Sequence, residues 1–254
     1  MRKTGSYIWM MFLLVILPFE NNAQDLNVLL KDAQQLEASF KEAEALQKYL
    51  SVLKVQPNNL TALTKASELH SVLGKHQPTK DKQKEYYRNA RAYALKALQV
   101  NANSPEANVV MALAMGRMAL IAPGEEKIRA VKDVKNYAEK AIQLDPNSYK
   151  GYHVLARWHY EVSDLTSLEK WLVKVTYEAL PRASLDDAIR YYEKSRQLNP
   201  SFILNYYELA RSYRRKGNNK KAIELLEAMQ KLPNKIADDA SIKTKGRKLL
   251  NDLK

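Results

Sequence analysis

The chain has 254 residues, of which 46% are apolar and 27% are charged, with only seven glycines and nine prolines. This is too little turn-forming content for a many-stranded sandwich or barrel, and too much apolar content for a disordered chain. The lack of cysteine excludes disulfides, thiolate metal ligands and a cysteine nucleophile, while the net charge of +13 suits an anionic partner. Composition therefore favours an all-helical interaction protein over an enzyme.

The first 23 residues predict a signal peptide. Arg2 and Lys3 precede an apolar stretch at residues 7–19. As a helix this stretch reaches about 20 Å, short of the roughly 30 Å hydrocarbon layer of a membrane. Pro18 lies near the usual processing region, and we expect cleavage after Ala23. The chain would then be periplasmic or secreted; an uncleaved membrane anchor is the alternative.

Pairs of amphipathic helices are predicted for the rest of the chain. In chain order the predicted repeats cover about residues 25–59, 60–104, 105–148, 149–202 and 203–236, and a capping helix follows at 240–253. The fourth repeat contains an insert at about residues 163–182. Its apolar helical face is formed by Leu168, Trp171, Leu172 and Val175. We expect this face to pack on the solenoid, to cover the groove or to touch a membrane.

The last repeat shows the clearest pattern. Counted from Ile203, positions 4, 7, 8, 11, 15, 20, 24 and 31 carry Tyr206, Leu209, Ala210, Tyr213, Gly217, Ala222, Leu226 and Pro233. The first four form one stripe on a helix, and Gly217 provides the turn to the next helix. This is the pattern of a tetratricopeptide repeat (TPR). The sequence thus predicts an all-α fold, a right-handed TPR α-solenoid of about five helix pairs with a C-terminal capping helix.

A narrower resemblance is carried by three strings. They are Ala-Ile-Gln-Leu-Asp-Pro at 141–146, Arg-Trp-His-Tyr-Glu at 157–161 and Tyr-Tyr-Glu-Leu-Ala at 206–210. With the long insert between them, the chain resembles the regulator of microtubule dynamics family over about residues 85–253. The resemblance implies a TPR fold and association with microtubules and spindles. It also implies membrane anchoring in some members and lipid binding by the repeat domain. The predicted export signal departs from the family, so we expect the fold to transfer better than the cellular role.

Catalytic motifs are absent from the sequence. The four histidines, His70, His76, His153 and His159, lack the spacing of a helical zinc protease. The glycines form no phosphate loop, and no serine lies in a G-x-S-x-G elbow. Acidic pairs at 125–126 and 186–187 fall at predicted helix starts, where they complement the helix dipole. We therefore expect no enzyme activity, no cofactor and no metal.

The candidate binding residues occupy positions 2, 5, 9 and 12 of the first helix in each of the last two repeats. In TPR folds this stripe lines the concave groove. Its residues are Lys150, His153, Arg157, Tyr160, Leu204, Tyr207, Arg211 and Arg214. Arginines beside aromatic rings suit a carboxylate or a phosphate. The alternatives are ordinary solvated arginines with Tyr160 and Trp158 in the core, or an ion pair of Arg157 within its own repeat.

These features lead to a hypothesis of a non-enzymatic exported scaffold or adaptor that binds an acidic protein or peptide in its groove. The alternative is a lipid-binding or membrane-tethering module that uses the same basic, aromatic-lined groove. Residues 211–254 carry 13 basic and 5 acidic residues. This excess of positive charge fits either solvated helix faces or electrostatic attraction to an anionic surface. Export argues against nucleic acid. The partner's identity and the oligomeric state stay open.

Overall fold

Helices account for the architecture. A computed structural model describes residues 20–166, 173 and 179–254. Within these residues the helices are α1 (Glu20–Ala38), α2 (Glu42–Val55), α3 (Leu60–Gly74), α4 (Lys80–Val100), α5 (Pro105–Ala119), α6 (Gly124–Leu144), α7 (Tyr149–Ser163), α8 (Leu185–Leu198), α9 (Ile203–Arg215), α10 (Asn219–Lys231) and α11 (Asp239–Leu253). No strand occurs in this part of the chain, so the all-α prediction is confirmed.

Polar side chains fix where most of the helices begin. The N-cap side chains that accept a backbone N–H belong to Asn59, Thr79, Ser104, Ser148, Ser184 and Asn218. Each cap satisfies one of the amides that has no partner within its helix. The acidic pairs at 125–126 and 186–187 lie in the first turns of α6 and α8, as predicted.

The helices form two layers. Each helix packs on the next one along the chain, and the odd-numbered helices from α3 to α11 also contact one another in sequence. The odd-numbered helices therefore form an inner layer and the even-numbered ones an outer layer. This inner layer is concave, because Lys150 of α7 reaches over α5 to Glu68 of α3.

The hydrophobic core follows the solenoid as a series of clusters instead of one centre. Fully buried alanines recur where helices approach closely, among them Ala62, Ala94, Ala156 and Ala210. Gly74 marks another close approach, because a Cβ there would lie 2.7 Å from the ring of Tyr87. Side chains this small are required for helices to pack at such short distances.

Some of the predicted elements can be compared with the structure, and others lie outside the described residues. Gly217 has φ +83° in the turn between α9 and α10, as the repeat pattern predicts. The capping helix predicted at 240–253 corresponds to α11, which packs on α9 and α10. The apolar face of Leu168, Trp171, Leu172 and Val175 lies outside the described residues, and so do residues 1–19 of the predicted signal peptide.

The solenoid curves until its two ends touch. Asp238, just before α11, accepts hydrogen bonds from Lys75 Nζ and from His76 Nε2, the latter at 2.8 Å. The carboxylate of Glu42, at the start of α2, lies beside the backbone of Ala237. We call these contacts the clasp. It joins segments about 160 residues or more apart in sequence, and it closes the inner layer into a ring.

Candidate functional site

One half of the concave face is filled by a network of ion pairs, which we call the balanced half. Lys150 Nζ lies 2.7 Å from Glu68 Oε1 and 3.2 Å from Glu106 Oε1. Lys65 Nζ lies 3.0 Å from Glu37 Oε1 and 3.6 Å from Glu68 Oε2. Three carboxylates and two ammonium groups leave little excess charge to attract a ligand.

Electrostatics hold this network in its charged form. Burial would raise the pKa of Glu68, but Lys150 and Lys65 outweigh burial, so the pKa lies below its usual value. Burial likewise opposes the charge of Lys150, yet Glu68 and Glu106 raise its pKa. Lys150, predicted as a groove cation, is therefore engaged by internal carboxylates.

Arg157 and Arg211, in contrast, meet at a single carboxylate. Both point at the carboxylate of Glu208, whose side chain is only 5% exposed. Arg211 Nη1 lies 2.7 Å from Glu208 Oε2, and Arg157 Nη1 lies 3.4 Å from Oε1. Arg157 also pairs with Glu161 at 3.4 Å, so the alternative of an ion pair within its own helix is observed as well. Glu208 thus fixes both guanidinium groups on the concave face.

Aromatic rings lie between these cations. The guanidinium carbons of Arg211 and Arg215 each lie 5.1 Å from the centre of the Tyr160 ring, and that of Arg211 lies 5.9 Å from the Tyr207 ring. These are cation–π distances. Arg214, in the last turn of α9, is exposed, and no carboxylate of the described residues lies within ion-pair distance of it. Arginine and tyrosine side chains therefore lie side by side in this region.

His153 does not line the open groove, and its place in the predicted stripe needs correction. Its side chain is buried, with Nδ1 3.0 Å from Asn205 Oδ1 and with the rings of Tyr192 and Phe202 against it. Burial lowers its pKa to about 4, against the opposing effects of Asn205 and Glu208. The imidazole is enclosed because α9 packs directly over this position of α7.

Three further cations lie in this region, although the predicted stripe did not include them. They are Lys75, Arg117 and Lys245. Arg117, in the last turn of α5, lies 5.8 Å from the ring of Tyr87. Burial lowers its pKa, and the charge of Arg157 adds to that effect. Burial lowers the pKa of Lys75. The charges of Arg117, Arg157 and Lys245 add to that effect, and the charge of Glu42 opposes it. Within the part of the chain that the structure describes, neither Arg117 nor Lys245 has a carboxylate within 4 Å.

These residues define a second half of the concave face, which we call the basic half. Its cations are Lys75, Arg117, Arg157, Arg211, Arg214 and Lys245. Its carboxylates are Glu42, Glu161, Glu208 and Asp238. Cations therefore exceed carboxylates, and two aromatic rings lie among them. A concave surface with uncompensated arginine can hold an anionic group.

The described ranges 20–166 and 179–254 contain neither a candidate metal site nor a candidate membrane-spanning helix. These ranges contain no group of three or more histidine, aspartate or glutamate side chains arranged to hold a metal ion. None of their helices is long and apolar enough to cross a membrane.

Solved structures with this arrangement include TPR proteins. TTC0263, a thermophilic TPR protein of Thermus thermophilus, superposes with a TM-score of 0.66 over 89% of this chain and 99% of that one, at 14% sequence identity. PilW, described as a type IV pilus biogenesis factor, gives a TM-score of 0.54 over 90% of this chain and 87% of that one, at 19% identity. The fold is therefore a TPR solenoid, as the sequence predicts.

The family follows from sequence. A family model described as regulator of microtubule dynamics protein 1-3 matches residues 29–254. The chain belongs to this family, and the match begins well before the resemblance predicted at about residues 85–253. Regulator of microtubule dynamics protein 3 of Rattus norvegicus is 26% identical over 221 residues, 86% of this chain but 47% of that protein. Protein 1 of Caenorhabditis elegans is 29% identical over 160 residues, 63% of this chain and 71% of that protein. The chain thus spans about half the length of the rat relative.

Proposed function

We propose that this chain is a non-enzymatic scaffold that binds an acidic protein or peptide in the basic half of its concave face. The observation that carries the proposal is the excess of cations there, above all Arg117 and Arg214. These two guanidinium groups have no carboxylate of the described residues within ion-pair distance. The TPR fold supports a protein partner, since stacked repeats present an extended concave surface.

The chemistry of the basic half matches carboxylates. A guanidinium group can donate two parallel hydrogen bonds to one carboxylate, and such bonds are stronger where water is partly excluded. Tyr160 and Tyr207 flank the arginines and offer ring surface to the apolar parts of a bound chain. Glu208 keeps Arg157 and Arg211 in place before a ligand arrives. Little ordering of the site would then be needed on binding.

The test must remove charge without exposing an unpaired buried acid. Replacing Arg157 and Arg211 would leave Glu208 uncompensated and would destabilise the fold. Arg117→Gln/Arg214→Gln avoids this problem. Lys96→Gln/Lys248→Gln is the matched control, because both lysines are exposed and the change in formal charge is the same.

We expect the arginine variant to bind an octaglutamate peptide at least about tenfold more weakly than wild type, which corresponds to about 1.4 kcal/mol. The lysine variant should change affinity by less than about threefold, because solvated surface charges contribute little. Equal losses in both variants would mean diffuse attraction and would contradict the proposal. Binding to phosphatidylserine vesicles, with none to the peptide, would favour the lipid-binding or membrane-tethering alternative.

We also propose that the scaffold is exported, on the basis of the charged and apolar pattern of residues 1–23. The intact mass of the protein from its native host is expected to fit a chain that starts at Gln24. A membrane-bound species that retains Met1 would instead support an N-terminal anchor.

A further inference from the structure

We propose that Asp238 acts as an internal pseudo-ligand: its carboxylate occupies a subsite in the basic half that a carboxylate of an acidic peptide takes when the clasp opens. The inference rests on the proposed function and adds to it a defined subsite and an autoinhibitory contact. Peptide binding and closure of the ring then compete for the same cations.

The subsite already holds a carboxylate. Asp238 is 8% exposed and contacts both Lys75 and His76. Arg117, Arg157 and Lys245 lie close enough to Lys75 to act on its charge, and so does the carboxylate of Glu42, which opposes them. These cations come from α5, α7 and α11, so the curvature of the whole solenoid brings them together. A carboxylate from another chain would meet the same groups.

The clasp is polar, and it can open without unfolding the helix that carries it. Its contacts are those of Asp238 with Lys75 and His76 and that of Glu42 with the backbone of Ala237. The neighbouring Ile236 is 41% exposed and does not seal the junction. Helix α11 is held separately, because its buried apolar residues belong to the same cluster as those of α9 and α10. The side chains of Lys75 and His76 are 32% and 55% exposed, so a ligand with several carboxylates can reach both partners of Asp238 and take its place.

The length of the basic half favours an extended peptide over the head group of a single lipid. Its cations extend from the end of α3 across α5 and α7 to α9. Neighbouring helices lie about 8–10 Å apart, so the path along the curved inner layer from α3 to α9 measures roughly 25–30 Å. About eight extended residues cover that distance at 3.3–3.6 Å each. An acidic peptide can therefore fill the Asp238 subsite and reach Arg214 at the same time.

Two variants of the full chain test the competition with octaglutamate as the probe. Asp238→Asn removes the pseudo-ligand, and we expect affinity to rise by about threefold to tenfold. Lys75→Gln also opens the clasp but removes a cation from the subsite, so affinity should fall. Asp252→Asn, an exposed aspartate on α11, is the matched control and should leave affinity unchanged.

Opening of the clasp can be measured directly. Because the chain has no cysteine, spin labels can be attached to Lys80→Cys and Ser241→Cys, at exposed positions on either side of the clasp. Both Asp238→Asn and Lys75→Gln should lengthen the distance between the labels, and so should saturating octaglutamate on the otherwise unaltered chain.

Two results would overturn the inference and leave the proposed function standing. One is octaglutamate binding to the basic half with no change in the distance between the labels. The other is equal affinity of wild type and Asp238→Asn. If neither protein bound octaglutamate, both the inference and the proposed function would fail. Binding of Asp238→Asn to phosphatidylserine vesicles alone would assign the subsite to a lipid and contradict the peptide.

Discussion

Lowering the pH from 7 to 5 is expected to reduce the free energy of unfolding by about 2–4 kcal/mol. Burial lowers the pKa of His153 to about 4 and that of His70 to about 4, from an ordinary value near 6.5. The unfolded chain therefore takes up protons between pH 6.5 and 4 more readily than the folded chain. The stability these groups contribute is present above pH 6.5 and is lost as the pH falls toward 4. Burial also lowers the pKa of His159, in the same direction.

The variant His70→Phe separates this effect from general acid sensitivity. His70 packs against the rings of Tyr86 and Tyr93, with centroids 5.2 and 5.5 Å away, and its buried Nδ1 has no hydrogen-bond partner. A phenyl ring suits this environment and cannot be protonated. Urea unfolding at pH 7 and pH 5 should then show a smaller loss of stability, by roughly half. An unchanged pH dependence in this variant would contradict the assignment.

Ala210→Trp is expected to cost about 1–3 kcal/mol or more of stability. Ala210 is fully buried in the cluster that joins α7 to α11, where a large ring would force helices apart. Because repeats pack mainly on their neighbours and only the polar clasp links distant ones, the damage should stay local. Hydrogen exchange should accelerate in α9, α10 and α11 before it accelerates in α3 and α4.

Ala92→Trp on α4 provides the control, because Ala92 is exposed and the same ring would extend into solvent. We expect that variant to stay within about 0.5 kcal/mol of wild type. Simultaneous loss of protection in all helices of Ala210→Trp would argue against repeats that open independently.

Local sequence patterns predicted the helices well. The spacing that places Tyr206, Leu209 and Ala210 on one stripe is set by helix geometry alone, and the structure buries all three. Gly217 and the capping side chains mark turns for equally local reasons. Such features depend on residues within a few positions of one another, so a single sequence is sufficient to recognise them.

The site could be predicted only in part. Arg157, Arg211, Tyr160 and Tyr207 follow from helix positions and do lie together. Helix position does not reveal which carboxylates or rings the next helix brings, so the ion pairs of Lys150 and the burial of His153 were missed.

The clasp was missed for a related reason. Asp238 and Lys75 are 163 residues apart, and they meet only because the solenoid as a whole curves back on itself. Arg117 and Lys245 enter the basic half through the same curvature. A basic residue in the last turn of a first helix is the sequence signal that could have indicated Arg117. Lys245 has no such signal.

The central claim is that an acidic peptide binds the basic half of the concave face, and hydrogen exchange of the full chain with and without octaglutamate tests it most directly. We predict slower exchange in the C-terminal halves of α5, α7 and α9, together with faster exchange around residues 75–76 and 236–239 as the clasp opens. The outer helices α4 and α6 should be unaffected. Protection confined to those outer helices, or spread evenly over the surface, would contradict the account.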